Sequence, residues 1–263
     1  MGACDLCRGS QFEVYLESTS CGRELVRCKE CGLVSARAGS GGRVPEQSAA
    51  RDPRTDLKRA AAVMRLLSSG KVLEIGCGTG DFLSSLNPAR YEVVGVETAA
   101  SRAAEAQRKL AKASLRGAIV PAPLAEAGLP AETFDLVAMF CTLERTPSPR
   151  ATLMEASRLL RAGGLAVLET PSLSSLTARL CGSRWHPLSD PGAEHFFTSS
   201  SLHRLASTCG LAGGAARMSI PLGWPSPGTL VLVARKSAVS LKVAGLAELA
   251  SPVGKISPMG ATQ

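Results

Sequence analysis

A glycine-rich turn that follows an apolar segment offers the clearest chemistry in this sequence. Residues 72–75 form a short, mostly apolar run that includes Glu74, and Gly76, Gly78 and Gly80 follow at alternate positions. Glycine allows the backbone to turn with positive φ and allows a ligand to lie against the bare main chain. The N–H groups at the start of a following helix would point into the same crevice. The turn is therefore a candidate cofactor-binding loop.

A second acidic residue fits the same site. Glu97 ends the next apolar run, residues 91–96, about twenty residues after the loop, at the tip of the neighbouring strand. A carboxylate at this place can accept hydrogen bonds from two ribose hydroxyls. The spacing therefore predicts a cofactor that contains a nucleoside. The loop differs from the G-x-G-x-x-G pattern of dinucleotide-binding proteins, because an acid precedes three alternating glycines.

Two C-x-x-C pairs near the start of the chain have the spacing of a metal site. Cys4 and Cys7 form the first pair, and Cys28 and Cys31 form the second, twenty residues later. Each pair can offer two thiolates from one tight turn, so together they can hold one zinc ion in a tetrahedral site. Four thiolates leave no open coordination position, which makes the zinc structural. The alternatives are two disulfides or unligated thiols, and with no export signal in view an oxidised state is disfavoured.

Histidines are rare in the chain, and two of the three lie close together. His186 and His195 fall in residues 185–197, which also contain Asp190 and Glu194. A histidine on such a loop is a candidate general base. The alternative is that His195 only bonds to the backbone and fixes the loop, and the sequence favours neither reading.

Alternating helix and strand patterns surround these residues. Residues 56–67 predict a helix before the glycine loop, and residues 134–140 and 165–171 predict two further strands. Gly163 and Gly164 are expected to end the helix between those strands. A hydroxyl residue is expected to cap a helix after residue 198, and residues 218–220 and 230–234 to form a closing antiparallel pair.

The motif from Glu74 to Gly80, the strand at 134–140 and the loop at 141–150 resemble the class I S-adenosylmethionine-dependent methyltransferases. The resemblance runs from about residue 57 to residue 236. It is nearest to a bacterial branch of the family with an N-terminal zinc-ribbon-like segment. The resemblance implies an α/β Rossmann-like fold with a seven-stranded sheet of order 3-2-1-4-5-7-6, preceded by a small zinc ribbon. It also implies S-adenosylmethionine as cofactor and places residues 185–197 near the acceptor.

The resemblance assigns roles residue by residue. His195 and His186 are the catalytic candidates on the acceptor side. The cofactor is expected to contact the loop and the strand ends, at Glu74, Gly76, Cys77, Gly78, Gly80, Asp81, Glu97 and Cys141.

Composition changes suggest four segments. Residues 1–38 are expected to form the zinc-ribbon-like module, and residues 39–55 a flexible linker rich in glycine and serine. Residues 56–236 would form the methyltransferase domain. Residues 237–263 show no clear pattern and are expected to be a tail.

Charge and hydropathy limit the partners. The chain has a formal charge of +8, but residues 1–60 carry ten basic and eight acidic residues, so a ribbon holding zinc on four thiolates is near neutral. The densest basic run lies on the helix after Glu97 and fits a solvated face. No apolar run is long enough to cross a bilayer, and no export signal is visible. We therefore expect a cytoplasmic protein without a membrane partner.

Three functions remain open on the sequence. The first is methylation of a small molecule such as a sugar or secondary metabolite, and the second is an RNA or protein methyltransferase that docks its substrate through the ribbon. The third, a non-catalytic relative, arises because Arg145 and Cys141 replace residues frequent in the family and no acid occurs at 122–124. The intact glycine loop and Glu97 favour an enzyme, and the neutral ribbon and scarce aromatics favour a small acceptor over nucleic acid. The acceptor atom and the oligomeric state stay open.

Overall fold

The computed structural model describes residues 2–37, 53–213 and 228–237. Most of the predicted linker at 39–55 and of the predicted tail at 237–263 lies outside these residues, and so does the predicted strand at 218–220. Within the described parts of the chain, every helix is too short or too polar to cross a bilayer.

Strands and helices alternate along most of the described chain. They are β1 (Phe12–Leu16), β2 (Leu25–Cys28), β3 (Val34–Ala36), α1 (Pro53–Leu66), β4 (Gly70–Ile75), α2 (Asp81–Ser84), β5 (Tyr91–Val96), α3 (Ala100–Lys112), β6 (Arg116–Val120), β7 (Phe134–Phe140), α4 (Pro149–Leu159), β8 (Leu160–Pro171), α5 (Leu176–Cys181), β9 (His195–Phe196), α6 (Ser199–Thr208), β10 (Leu211–Gly213) and β11 (Thr229–Lys236).

The main sheet has seven strands in the order β6-β5-β4-β7-β8-β11-β10. The first five of these strands are parallel, and β11 runs antiparallel to both β8 and β10. Numbered from β4 along the chain, this is the order 3-2-1-4-5-7-6, so the predicted Rossmann-like methyltransferase fold is confirmed. The carboxyl ends of β4, β5 and β7 meet at one edge, which is where such sheets bind their ligands.

Helices cover both faces of this sheet. One face packs against α1, α2 and α3 through residues such as Val63, Phe82 and Leu110. The other packs against α4 and α6 through residues such as Leu153 and Leu202. Because both faces are covered, the central strands are apolar at nearly every position, and an acid within them stands out.

A second, four-stranded sheet has the order β1-β2-β3-β9. The first three strands belong to the cysteine-rich segment, whereas β9 comes from the long loop after β8. Leu6 and Leu33 of this segment are buried in the same apolar cluster as Leu153 and Leu202. The cysteine-rich segment and the part of the chain that forms the seven-stranded sheet therefore share a core.

Several element boundaries differ from the sequence-based expectation. α1 begins at Pro53 rather than at residue 56. α4 ends at Leu159, so the predicted stop at Gly163 and Gly164 is wrong, and β8 begins at Leu160 rather than at residue 165, because Leu160 is already extended and paired with Phe134. The described partner of β11 at the sheet edge is β10, directly after α6. The predicted hydroxyl cap is confirmed, since the Thr198 side chain accepts a hydrogen bond from the backbone N–H of Ser201.

Candidate functional site

The three glycines of the loop after β4 all have positive φ, of 73°, 55° and 77°. A Cβ at Gly76 would lie 2.6 Å from Oγ1 of Thr142, and one at Gly80 would lie 2.9 Å from Cβ of Ala106. These two glycines are required by close packing within the protein. Among the described residues, and apart from its two chain neighbours, Gly78 has no atom within 4 Å of the position of a Cβ. Gly78 is therefore the glycine that leaves open space for a ligand against the main chain.

Glu97 is bonded directly to this loop. Its Oε2 accepts a hydrogen bond of 2.9 Å from the backbone N–H of Gly78, and its Oε1 accepts from Ala99 N at 2.9 Å and from Arg102 Nη2 at 2.8 Å. The side chain is 5% exposed. A carboxylate offers about four acceptor sites, and the described residues use three of them.

The other predicted cofactor residues of the loop occupy different environments. Glu74 is fully buried in the centre of the sheet, between β5 and β7. The Cys77 sulfur lies 2.7 Å from where a Cβ on Gly95 would be, so its side chain belongs to the core and only its backbone can face a cofactor. Asp81 accepts from Lys109 Nζ at 2.7 Å and from Thr79 Oγ1 at 2.5 Å.

Cys141 lies at the carboxyl end of β7, opposite the end of β8. Its φ is +50°, which is uncommon for a residue other than glycine and is concentrated at functional sites. Its backbone N–H donates to the Glu169 carbonyl at 2.8 Å. Its sulfur lies 3.9 Å from Oε1 of Glu169 and 4.0 Å from Nη2 of Arg59.

A buried ionic cluster lies beside Cys141. Arg59 of α1 donates two hydrogen bonds to Glu169 of β8, at 2.8 and 2.9 Å, and one to Asp56 at 2.6 Å. Its guanidinium also lies over the Phe140 ring, 4.7 Å from the centroid. Burial lowers the pKa of Arg59, but the hydrogen bonds to Glu169 and Asp56, together with the charges of Glu169 and Cys141, outweigh burial and raise it. The pair fixes α1 over the end of the sheet.

Sequence reasoning did not single out Arg59, Asp56 or Glu169. One signal was present, because Asp56 and Arg59 lie on the same helical face as Ala60 and Val63. A charged pair on an apolar face predicts a buried ionic contact. Its partner Glu169, 110 residues away, could be found only from the fold.

The sulfur atoms of Cys4, Cys7, Cys28 and Cys31 all lie within 4.8 Å of one another. The Cys4–Cys31 and Cys7–Cys28 sulfur distances are both 3.5 Å, and none of the four is in a disulfide. Tetrahedral zinc with Zn–S bonds of about 2.3 Å needs sulfurs about 3.8 Å apart. The four predicted ligands are therefore together in a geometry close to that of a zinc site.

The cysteine-rich segment is bonded to the catalytic domain on two sides. Asp5, inside the first C-x-x-C pair, accepts from Ser148 Oγ and from the Arg150 backbone N–H, both at 2.7 Å, where α4 begins. Arg23 is 2% exposed and donates to the Ala193 carbonyl at 2.8 Å and the Asp190 carbonyl at 2.6 Å. The ribbon thus holds both α4 and the loop that contains the histidines.

The two predicted catalytic histidines are in unlike settings. His195 is 8% exposed in β9, and its Nδ1 lies 3.0 Å from the hydroxyl of Ser35. Burial lowers its pKa, partly opposed by the charge of Asp5 and by the carbonyls of Pro147 and Thr146. His186 is exposed at the start of a short 3-10 turn.

The histidine loop is also tied to the segment after β7. The backbone N–H of Glu194 donates to the Glu144 carbonyl at 2.7 Å, and Arg145 forms an ion pair with Asp190. Arg145, the residue found where a histidine is frequent, is thus part of the contact between these two loops.

The seven-stranded order, the glycine loop and its bonded acid define a class I S-adenosylmethionine-dependent methyltransferase. Residues 47–213 match the family model described as a methyltransferase domain, so the chain belongs to that family. The enzyme's methyl donor is S-adenosylmethionine.

Solved structures with this fold are distant in sequence. A methyltransferase of Thermotoga maritima, named as a candidate histamine N-methyltransferase, is 22% identical with a TM-score of 0.52, over 70% of this chain and 89% of that chain. A candidate sarcosine dimethylglycine methyltransferase of Galdieria sulphuraria is 16% identical with a TM-score of 0.54, over 70% and 86%. The CurJ carbon methyltransferase is 19% identical with a TM-score of 0.52, over 70% of this chain and 54% of that chain. Comparison with curated protein sequences gives no match.

Proposed function

We propose that this enzyme methylates a small polar molecule, such as a sugar or a secondary metabolite. The observation that carries the proposal is the packing of the ribbon onto the catalytic domain. The side chains of Asp5 and Arg23, both in the ribbon, form hydrogen bonds to α4 and to the histidine loop. Leu6 and Leu33 are buried in the shared core. A ribbon packed in this way supports the acceptor side of the cleft. Its Asp5 and Arg23 side chains bond within the protein and are not available to bind RNA or a protein substrate.

The proposed roles follow from the geometry. Gly78 leaves space for the cofactor against the main chain, and Glu97 accepts a ribose hydroxyl while it holds the loop. S-adenosylmethionine held there would supply a methyl group on a positively charged sulfur, which becomes a neutral thioether when the acceptor takes the methyl. The acceptor's proton would pass to the imidazole of His195, the candidate general base.

Correct placement of the acceptor is the main requirement of methyl transfer. Reacting atoms must be held about 3 to 3.5 Å apart and away from water. The ion pair of Arg145 with Asp190 and the bond from Glu194 to Glu144 hold the two loops together at the acceptor side. His186 is exposed in the same segment, where it can contact an acceptor at the rim.

Charge placement favours a small acceptor over RNA. RNA binding requires several Lys or Arg side chains available to phosphates. Of the basic run on α3, Arg102 is paired with Glu97, and Lys109 with Asp81 and Glu105. The candidate names of two structural neighbours, with histamine and with sarcosine and dimethylglycine, refer to small acceptors.

Zinc is the proposed occupant of the four-cysteine cluster. Burial raises the pKa of Cys4 and Cys31, whereas at Cys28 burial is outweighed by hydrogen bonds, chiefly from the backbone, and the pKa is lowered. Zinc binds the thiolate form, so binding would release the thiol protons. We propose a structural role, with the ribbon at 1–38, a linker at 39–55, the methyltransferase domain at 56–236 and a tail after it. A site made of four reduced thiolates suits a cytoplasmic location.

A labelling experiment tests this proposal. The full chain is incubated with methyl-labelled S-adenosylmethionine and, separately, with a library of polar metabolites and nucleotide-linked sugars, total RNA, and a protein extract. We expect label in a small molecule, and loss of that label in Glu97→Ala. Matched labelling with Glu92→Ala, on the surface of β5 just before Glu97, controls for folding. Label that enters only RNA or protein would overturn the small-molecule assignment.

A further inference from the structure

Arg102 lies in the first turn of α3, where a positive charge is unfavourable. The helix dipole favours negative side chains at a helix start, and the first turn of α3 contains no acid. The charge of Arg102 is instead balanced by Glu97, directly after β5, since its Nη2 lies 2.8 Å from Oε1 of that carboxylate. The place of this arginine in the helix is therefore explained by its contact with Glu97.

The ion pair lies beside the glycine loop. Glu97 is 5% exposed, and a buried carboxylate is costly unless a cation and hydrogen bonds replace its lost hydration. Arg102 supplies the cation, and the backbone N–H groups of Ala99 and Gly78 supply hydrogen bonds. One carboxylate therefore joins the glycine loop, the start of α3 and Arg102.

The two carboxylate oxygens of Glu97 have different partners. Oε1 accepts from the backbone N–H of Ala99 and from Arg102. Among the described residues, Oε2 accepts only from the backbone N–H of Gly78, at 2.9 Å. Gly78 is the loop glycine beside which the described residues leave open space. Oε2 is therefore the oxygen on the side of the glycine loop, and Oε1 is the oxygen held by α3.

We infer that Arg102 is a positioning residue of the cofactor site, which holds Oε1 of Glu97 so that Oε2 stays in place to accept from the ribose of S-adenosylmethionine. The inference rests on the proposed role of Glu97 as the ribose acceptor. The terminal torsion of a glutamate is soft, so the hydrogen bonds of the carboxylate decide its orientation. Without Arg102, Oε1 would keep the bond from Ala99 alone, and the carboxylate could turn away from the ribose.

Two ligands separate the positioning of a ribose acceptor from general support of the fold. They are the demethylated product of S-adenosylmethionine and an analogue of that product that lacks both ribose hydroxyls. Calorimetry with the full chain gives a Kd for each, and the ratio of the two Kd values measures recognition of the hydroxyls. We expect the wild type to bind the product about tenfold or more tightly than the analogue, because hydrogen bonds to a charged acceptor are strong.

Three variants complete the test. Arg102→Met removes the cation and should reduce the ratio of the two Kd values by about fivefold or more, through weaker binding of the product. Arg102→Lys keeps a cation, and its ratio should stay within about threefold of the wild type, since the bond to Glu97 comes from one nitrogen. Arg108→Met, at an exposed arginine of the same helix, is the matched control and should have the wild-type ratio.

The possible failures are distinguishable. A wild-type ratio in Arg102→Met, whether its affinities for both ligands fall together or stay the same, would overturn the inference and leave the role of Glu97 intact. A fall in the ratio for Arg108→Met equal to that for Arg102→Met would also overturn it. Equal binding of both ligands by the wild type would disprove the proposed role of Glu97, and the inference with it. Thermal unfolding of each variant shows that the proteins compared are folded.

Discussion

Asp5 binds the start of a helix that belongs to another part of the chain: its carboxylate accepts a hydrogen bond of 2.7 Å from the backbone N–H of Arg150. The acid sits between Cys4 and Cys7, and α4 begins directly after the loop that leaves β7. Free N–H groups at a helix start are stabilised by a carboxylate. Asp5 therefore links the first C-x-x-C pair to the start of α4.

Asp5→Ala should lower the free energy of unfolding by about 1 to 2 kcal/mol, because it removes a charged cap from α4. The free energy of unfolding of Asp5→Asn should lie between those of the wild type and Asp5→Ala, since the amide keeps one oxygen that can accept a hydrogen bond. Urea unfolding of the zinc-loaded chain measures the effect, with Glu13→Gln on the ribbon surface as the control. A loss of bound zinc in Asp5→Ala that is equal to the loss in a cysteine variant would contradict a capping role.

Zinc should be present at about one per chain, as expected for four thiolate ligands. Cys28→Ser/Cys31→Ser should lose it, because two of the four ligands are gone. Cys21→Ser, at an exposed cysteine outside the cluster, is the matched control and should keep it. Elemental analysis of the purified proteins gives the answer, and full zinc retention in the double variant would rule out the assignment.

Glu97→Ala should weaken S-adenosylmethionine binding by about 1 to 3 kcal/mol, since it removes a charged acceptor and leaves the Gly78 N–H without its partner. Calorimetry with S-adenosylmethionine and its demethylated product measures the change. Glu92→Ala, a surface substitution on β5, should bind like the wild type. Binding of NAD in place of S-adenosylmethionine would refute the assigned role of the loop.

Arg59→Met should destabilise the protein by about 3 to 5 kcal/mol, because Asp56 and Glu169 would then be buried carboxylates without their cation. Adding Glu169→Gln to Arg59→Met should restore part of the loss. Arg158→Met breaks an exposed pair with Glu155 and should cost less than about 1 kcal/mol. Thermal unfolding of the four proteins compares them, and equal effects of Arg59→Met and Arg158→Met would show that the buried cluster is not important for stability.

His195 should make the protein less stable as the pH falls. Its pKa is lowered in the folded state, chiefly by burial. Below about pH 6.5 the unfolded chain therefore binds a proton that the native state resists, and the free energy of unfolding decreases. Denaturant unfolding of wild type and His195→Gln between pH 5.5 and 7.5 isolates this contribution as a difference in slope. Parallel curves for the two proteins would contradict it.

Local sequence patterns were sufficient to predict many of the elements of the fold. The strand at Phe134–Phe140, the glycine loop after β4 and the hydroxyl cap of α6 were all predicted, because each depends on neighbouring residues. The two cysteine pairs were also predicted from local sequence, since a C-x-x-C turn by itself brings two sulfur atoms close together. The start of β8 was predicted five residues late, because its first residues are set by pairing with β7.

The sequence alone determined the class of fold, the glycine loop after β4, and the four cysteines that lie together, because these signals are short-range in the chain. Only the tertiary structure decided that the ribbon shares its sheet with β9, so that Ser35 meets His195 across 160 residues. The tertiary structure also decided that Arg59 and Glu169 form a buried ion pair. It decided that a side chain at position 76 would collide with Thr142, whereas the described residues leave open space beside Gly78. Contacts of this kind depend on how distant strands and helices pack, and no local propensity encodes them.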